Sequence, residues 1–405
     1  MIGHRLRKAA MRGAKLMFIN PVDFEFRFNV HAKSIVAPVA MERALAGVAK
    51  ALIDGGAAAV PEGLAALIAD VTVDDSYRLM ADALANADKA LVLVGSSGLG
   101  HPSYGTLNAL TQAIAAMTGA ANGVLSDGAN SAGAWLAGAV PHRGPAGKGA
   151  SFGLSVGGML TERLAAYVLL GVEPEHDSGQ PNVAVQALNN AEFVLAMSPY
   201  KTETMLQYAS VVLPVGPFTE TSGTFVNAEG CWQSFQGVVK GLGETRPAWK
   251  VLRVLGNLMS QPGFDYVSSE DVREELRQLL DETGGSGETS PSWVCPPALT
   301  AASGELQRFA DVSAYGVDGI VRRAISLQQT TQAIDATKVR INSATAEASG
   351  LKNAGRVAVR QGESNRILPL VIDDRVADHC VWLSSGTVGT AGFGTNRAGI
   401  ELKPA

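Results

Sequence analysis

Cysteine is the scarcest residue type in this chain, with three among 405 residues: Cys231, Cys295 and Cys380. They stand 64 and 85 residues apart and form no C-x-x-C, which excludes both a disulfide framework and a locally wound zinc or iron–sulfur site. So few thiols fit a reducing compartment, and each is expected to be partly buried and inert. His379-Cys380 is the only adjacent His/Cys pair, and neighbouring side chains on a strand point to opposite faces. A long apolar run is also missing: no stretch of eighteen apolar residues escapes a charge or a break, so no membrane-spanning helix is expected. Nor is there a basic excess. The formal net charge of −5 leaves no general basic face of the kind that releases phosphate counterions, which argues against nucleic-acid binding.

What is present is a chain that is 46% hydrophobic, enough for a large core and for two or three domains. The first fifteen residues carry Arg5, Arg7, Lys8, Arg12 and Lys15 with no acid, a feature shared with presequences. Leu6, Ala9, Ala10 and Gly13 nevertheless fall at helical spacing and run into KLMFINP, which reads as a helix feeding a strand over 14–20. Further units follow: a helix over 41–53, a helix over 77–87, a strand over 89–94, and a helix bearing Leu107, Leu110, Ile114 and Met117. Strands over 165–170, 192–197 and at Val211-Val212-Leu213-Pro214, with a helix over 183–188, complete a strand–helix alternation that predicts a doubly wound α/β fold with a parallel sheet. Pro247 and the pair Ser268/Asp271 start two more helices. Residues 283–304 have linker composition, and short β-like runs at 356–360, 367–372 and 380–383 predict a small C-terminal β-rich, barrel-like domain. The expected boundaries are thus 1–282, 283–304 and 305–405.

Two glycine clusters fall short of nucleotide fingerprints. Gly95-Ser-Ser-Gly98-Leu-Gly100 follows a strand but has the spacing G-x-x-G-x-G and runs into His101-Pro102, so a tight turn is expected there, with a stand-alone nucleotide-binding module as one alternative. Gly144-Pro-Ala-Gly147-Lys148-Gly149 lacks both the glycine spacing and the Ser/Thr of a phosphate loop.

The densest site-building segment is 207–233, QYASVVLPVGPFTETSGTFVNAEGCWQ. Pro214 stops a buried strand, and a loop follows with Thr219, Glu220, Thr221, Ser222, Thr224, Asn227 and Glu229 as hydrogen-bonding groups among Gly216, Gly223 and Gly230. Phe225 and Trp232 are expected to pack it. Glu220 and Glu229 have no nucleophile beside them in the pattern and are expected to cap the loop or pair at an interface, so no catalytic residue is assigned.

Continued through GVVKGLGETRPAWKVLRVLGNLM at 237–259, this segment resembles the molybdopterin oxidoreductase superfamily, and within it the large iron–sulfur (G) subunits of bacterial NADH-quinone oxidoreductase, respiratory complex I. Asn130–Gly138 (NSAGAWLAG) and Leu170–Pro174 (LGVEP) resemble two further superfamily segments. The resemblance implies that Gly171, Glu173, Pro174, Glu220, Gly223, Thr224, Asn227 and Glu229 occupy positions where catalytic members wrap a molybdopterin guanine dinucleotide. Glu173 stands where asparagine is common and Cys231 where arginine is usual. A carboxylate facing a pyrophosphate is unfavourable, and a lost guanidinium removes an anion partner, so these positions are expected to be vestigial.

The resemblance further implies that the chain corresponds to roughly the C-terminal half of such a subunit and binds no cofactor or metal. The iron–sulfur clusters would lie in the other half or in partner subunits. The implied role is a non-redox scaffold in the peripheral arm, touching other subunits of the arm, reaching the membrane only through them, and lying on the cytoplasmic face of a bacterial inner membrane. The alternative is a fragment of a catalytic, formate-dehydrogenase-like enzyme that binds the pterin nucleotide.

Overall fold

The computed structural model describes residues 2–284, 293–301, 304–394 and 399–405. The chain forms two compact units, one of residues up to 125 together with 291–405, the other of residues 126–290. These cuts differ from the compositional boundaries at 282 and 304.

The first unit opens with the helix Ile2–Met11 and strand β1 (Met17–Asn20), as the spacing predicts, although the helix buries no residue and its Leu6/Ala9/Ala10 stripe is only half-covered. β1 pairs in parallel with β2 (Ala32–Ile35), and β3 (Leu91–Val94) pairs in parallel with β4 (Ala121–Val124). Sequence patterning misses β2 and β4, because Ala-Lys-Ser-Ile and Ala-Asn-Gly-Val carry little apolar signal and owe their conformation to the neighbouring strand. Three helices supply the core: Met41–Asp54 through Val48, Ala49 and Leu52, Asp75–Ala85 through Met80 and Ala81, and Tyr104–Thr118 through Leu110, Ala113 and Ile114. Asp74 caps the second of them by accepting the Tyr77 backbone N–H at 2.9 Å, which satisfies a donor that no helical carbonyl reaches.

The glycine cluster after β3 is a helical turn, Ser96–Leu99. A Cβ on Gly98 would stand 2.5 Å from Val94 Cγ1, so this glycine lets the turn lie down on its own strand. Residues 293–301 pack on the same unit despite their linker composition. Trp293 Nε1 donates to the Glu62 carbonyl at 2.9 Å, and the Thr300 N–H and hydroxyl both donate to the buried Glu42 carboxylate at 2.8 Å. The rest of the expected linker, residues 285–292 and 302–303, lies outside the described residues.

In the second unit β5 (Ala166–Leu170), β6 (Phe193–Ser198) and β7 (Val211–Pro214) form a parallel sheet, with Leu170 opposite Met197 and Ser198 opposite Pro214. Alternate residues of β6 enter different cores. Val194 and Ala196 meet Tyr167, Leu188, Met205 and Tyr208 on one face, while Leu195 and Met197 meet Val215, Val251 and Leu255 on the other. An antiparallel hairpin follows, β8 (Gly223–Val226) with β9 (Trp232–Phe235). The helices Ala248–Leu258 and Ser269–Glu282 come next, the latter opened by a reciprocal capping box between Ser268 and Asp271.

The C-terminal part of the first unit is a six-stranded mixed sheet. Its strands are β10 (Gln307–Phe309), β11 (Val339–Ile341), β12 (Arg356–Gln361), β13 (Ser364–Ile372), β14 (Cys380–Trp382) and β15 (Glu401–Pro404), in the order β10-β14-β11-β13-β12-β15. The Ile400 N–H donates to the Leu306 carbonyl at 3.1 Å and Gly399 bridges Gln307, so the two edges meet and the sheet curls in the expected barrel-like manner around Val339, Ile341, Val357, Val359 and Leu383. Arg308 is fully buried at its rim. Its guanidinium donates to the carbonyls of Leu383 (3.0 Å), Gly394 (2.8 Å) and Ser384 (3.1 Å) and to the Ser385 hydroxyl (3.1 Å). Burial pulls its pKa down to about 10, still well above neutrality. Among the described residues no helix is long and apolar enough to cross a membrane.

Arg308→Met removes the donors for three carbonyls at once. At about 1–3 kcal/mol for each buried group left unsatisfied, urea denaturation should show a loss of at least about 3 kcal/mol; a change below about 1 kcal/mol would mean that water replaces the guanidinium.

Candidate functional site

The eight positions implied by sequence all fall in the second unit, in two places. Gly171, Glu173 and Pro174 lie in the turn after β5, and Gly223, Thr224, Asn227 and Glu229 lie on the hairpin, with Glu220 closing the short 3-10 turn Phe218–Glu220 just before it. Parallel pairing of β5, β6 and β7 delivers both segments from carboxyl ends of strands, where α/β sheets place their ligand loops.

The hairpin turns its polar groups on itself. The Thr224 and Ser234 hydroxyls share a hydrogen bond across the strands at 3.0 Å. Asn227 Oδ1 accepts the backbone N–H groups of Glu229 (2.9 Å) and Cys231 (3.0 Å), which fixes the tight reversal, the local role short amides serve in turns. Gly223 leaves room for an aromatic ring: a Cβ there would stand 2.9 Å from Phe235 Cζ. Phe225 packs edge-on against Phe235, with ring centres 4.9 Å apart, and the Arg277 guanidinium lies over Trp232 at 5.0 Å. Glu229 and Cys231 are exposed, so the expectation of partly buried thiols fails for Cys231. Cys380 is fully buried, and burial pushes its thiol up to about 12. A residue 96 positions upstream holds the hairpin from outside: Asn130 Oδ1 accepts the Val226 N–H at 2.8 Å, and Val226 is 2% exposed.

The turn after β5 has a different character. Gly171 has φ +64° and donates its N–H to the Met197 carbonyl at 2.9 Å; this left-handed conformation suits glycine. Pro174 then begins a single helical turn, Pro174–Asp177, and the Asp177 carboxylate accepts the Glu173 N–H at 2.7 Å. Glu173 is buried, at 5% exposure. Glu173, Glu175 and Asp177 place three carboxylates within five residues, with His176 among them. That arrangement offers a pyrophosphate charge of its own sign, so this turn does not fit a pterin dinucleotide phosphate. Sequence reasoning singles out Glu173 here but passes over Glu175, His176 and Asp177, whose signal is the compact E-P-E-H-D string itself.

With this geometry in place, the kind of protein is clear: residues 1–258 match the family model for molybdopterin oxidoreductase, and the chain belongs to that family. It is similar to the G subunit of NADH-quinone oxidoreductase from Streptomyces coelicolor, 27% identical over 364 residues that cover 81% of this chain and 41% of that protein. It is also similar to the alpha subunit of F420-dependent formate dehydrogenase 1 of Methanococcus maripaludis, 28% identical over 137 residues covering 33% of this chain and 20% of that one. The chain therefore spans less than half the length of these curated relatives. Acetylene hydratase from Pelobacter acetylenicus superposes on 99% of this chain and 75% of its own, with a TM-score of 0.68 at 14% identity, a likeness of fold. The α/β fold with parallel sheets and a curled C-terminal sheet is thus the one the sequence implied.

Asn130→Ala should cost about 1–3 kcal/mol through the orphaned Val226 N–H. Amide hydrogen exchange should speed up at Val226, whereas unchanged protection there would show that the hairpin holds itself.

Proposed function

We propose that this chain is a non-redox structural module of an NADH-quinone oxidoreductase peripheral arm, carrying no cofactor of its own. The observation that carries this reading is the hairpin, whose Thr224 and Asn227 groups are spent on the loop's own hydrogen bonds instead of being held out for a ligand. The acidic turn at 173–177 supports it by repelling the phosphates a pterin nucleotide would bring. The similarity to the NADH-quinone oxidoreductase chain over 81% of this one supports the kind of assembly, whose other subunits are the proposed partners. Electrons passing from NADH to quinone would cross clusters elsewhere in that assembly, because Cys231, Cys295 and Cys380 stand 64 and 85 residues apart and form no C-x-x-C. Membrane contact would be indirect, through those subunits, on the cytoplasmic face.

The similarity to a formate dehydrogenase alpha chain favours a second reading, in which the same loops hold a pterin guanine dinucleotide. Metal analysis and acid-released pterin fluorescence of the purified chain separate the two. Iron, molybdenum and pterin well below one per chain are expected; molybdenum near one per chain with released pterin would establish the second reading. Within an assembled complex, Glu220→Gln combined with Glu229→Gln should alter stability or assembly and leave turnover near normal. A turnover loss of about a hundredfold with assembly intact, the scale of a removed acid/base catalyst, would overturn the structural role.

A further inference from the structure

Strands β1 and β2 pair with each other, β3 and β4 pair with each other, and no hydrogen bond joins the two pairs among the described residues. Both pairs nevertheless lie against one layer of helices in the first unit. Asp75–Ala85 packs beside Met41–Asp54, which packs beside Tyr104–Thr118; β2 lies against the first of these helices, β1 against the second, and β3 with β4 against the third. The side chains of Met17 and Ile19 on β1 and of Val92 on β3 enter the same apolar cluster. The helices therefore set the order across the layer as β2, β1, β3, β4, with an unpaired interval between β1 and β3.

The spacing of the two layers measures that interval. Three helices packed about 8–10 Å apart span roughly 16–20 Å between the outer axes. Four strands set about 4.8 Å apart span only about 14 Å, whereas five span about 19 Å. A helix layer of this width has room for one strand more than the four that lie on it.

Backbone groups point the same way. The Ala121 N–H donates to the Ala90 carbonyl at 3.0 Å and the Leu125 N–H to the Val94 carbonyl at 2.9 Å. Successive residues of a strand direct their N–H and C=O to alternate sides, so Ala90, Val92 and Val94 serve β4, and Leu91 and Leu93 present theirs to the opposite edge. In β1 the Asn20 carbonyl accepts the Val36 N–H at 3.0 Å, so Phe18 and Asn20 serve β2, and Met17 and Ile19 face the other way. Leu91 is 57% exposed and no residue of β1 is buried, although strands of a parallel sheet are ordinarily covered on both faces. An open edge with apolar side chains is a template for another strand, and a sheet of two strands is marginal by itself.

We propose that the interval between β1 and β3 is an interaction site for one extended, apolar strand of a partner polypeptide, which bonds to Met17 and Ile19 on one side and to Leu91 and Leu93 on the other and joins the two pairs into a single sheet. The occupant is polypeptide corresponding to the part of the relatives that this chain does not span: the similarity to the NADH-quinone oxidoreductase chain covers 41% of that protein, which leaves more than half its length to supply a strand. The site goes beyond the function proposed above and does not depend on it, since backbone pairing needs neither a cluster nor a quinone.

The test places photoreactive p-benzoylphenylalanine at position 91 of the full chain, in the cells that make it, and identifies the crosslinked peptide by mass spectrometry. A short apolar segment of a polypeptide outside this sequence is expected. Amide exchange is then compared between the unaltered chain alone and the chain purified with that partner. The N–H groups of Ile19, Leu91 and Leu93 should slow by at least about tenfold, the scale of one added backbone hydrogen bond, while those of Val92 and Val94, already bonded to β4, change far less. Leu91→Pro removes a donor only from the open edge, so this variant should fold with Val92 and Val94 still protected and recover at least about tenfold less partner. The exchange comparison, made on the unaltered chain, decides the matter if the variant does not fold. A crosslink to a second copy of this chain, no crosslink at all, slowing that does not alternate along β1 and β3, or a folded Leu91→Pro chain that recovers more than about a tenth of the partner would overturn the proposal.

Discussion

Parallel strand pairing is the constraint on which the second unit depends. With β5, β6 and β7 running the same way and Leu170 level with Met197, the chain cannot turn back at a strand end; each time it must cross a face of the sheet before starting again. The crossings cover both faces, which is why adjacent residues of β6 are buried in different clusters. They also leave the segments after Leu170 and after Pro214 emerging from the same end of the sheet. The turn bearing Glu173 and the loop leading into the hairpin are consequences of that geometry, however their side chains came to be chosen.

What the two segments do with their polar atoms separates them. The hairpin's polar groups find partners within the protein: Asn227 binds backbone donors two and four residues on, Thr224 meets Ser234, and Asn130 reaches in from far upstream for the N–H of the buried Val226. The acidic turn closes its backbone through Asp177 and gathers one carboxylate oxygen each of Glu173 and Glu175 and one imidazole nitrogen of His176 within 4.8 Å of one another. Chain entropy explains part of the contrast. A hairpin of 13 residues from Gly223 to Phe235 keeps its shape only if most of its donors and acceptors find partners, whereas one helical turn begun by proline is already restrained.

Much of the architecture was legible because burial imposes a period. Val48, Ala49 and Leu52 mark one buried face of their helix; Val211 to Pro214 is the strand its apolar run and closing proline imply, but none of its four residues is buried, so the expectation of a buried strand fails there. β2 and β4 were not legible, since four residues with a lysine or an asparagine in the middle have no period of their own. The linker composition of 293–301 misled for a related reason: Trp293 and Thr300 owe their order to Glu62 and Glu42, more than two hundred positions away, and composition carries no trace of a distant partner. The candidate site was half-legible. Glu173 stood out as a departure from the family pattern, whereas Asn130, which reaches the hairpin from 96 positions upstream, leaves no local trace.

The division of the chain has a consequence for its birth on the ribosome. Residues 126–290 form one unit while the other needs both 1–125 and 291–405, so the inserted unit is finished while its host is still half-made. At about 5–20 residues per second, translation of that insert takes roughly ten to thirty seconds. During this interval the helices Met41–Asp54 and Tyr104–Thr118 must wait for Trp293, Leu299 and Thr300, which complete their packing. Nascent chains of this layout have a vulnerable middle age, when the N-terminal core still lacks the cover of Trp293 and Leu299, and a chaperone that shelters residues 32–125 would be of most use to them then.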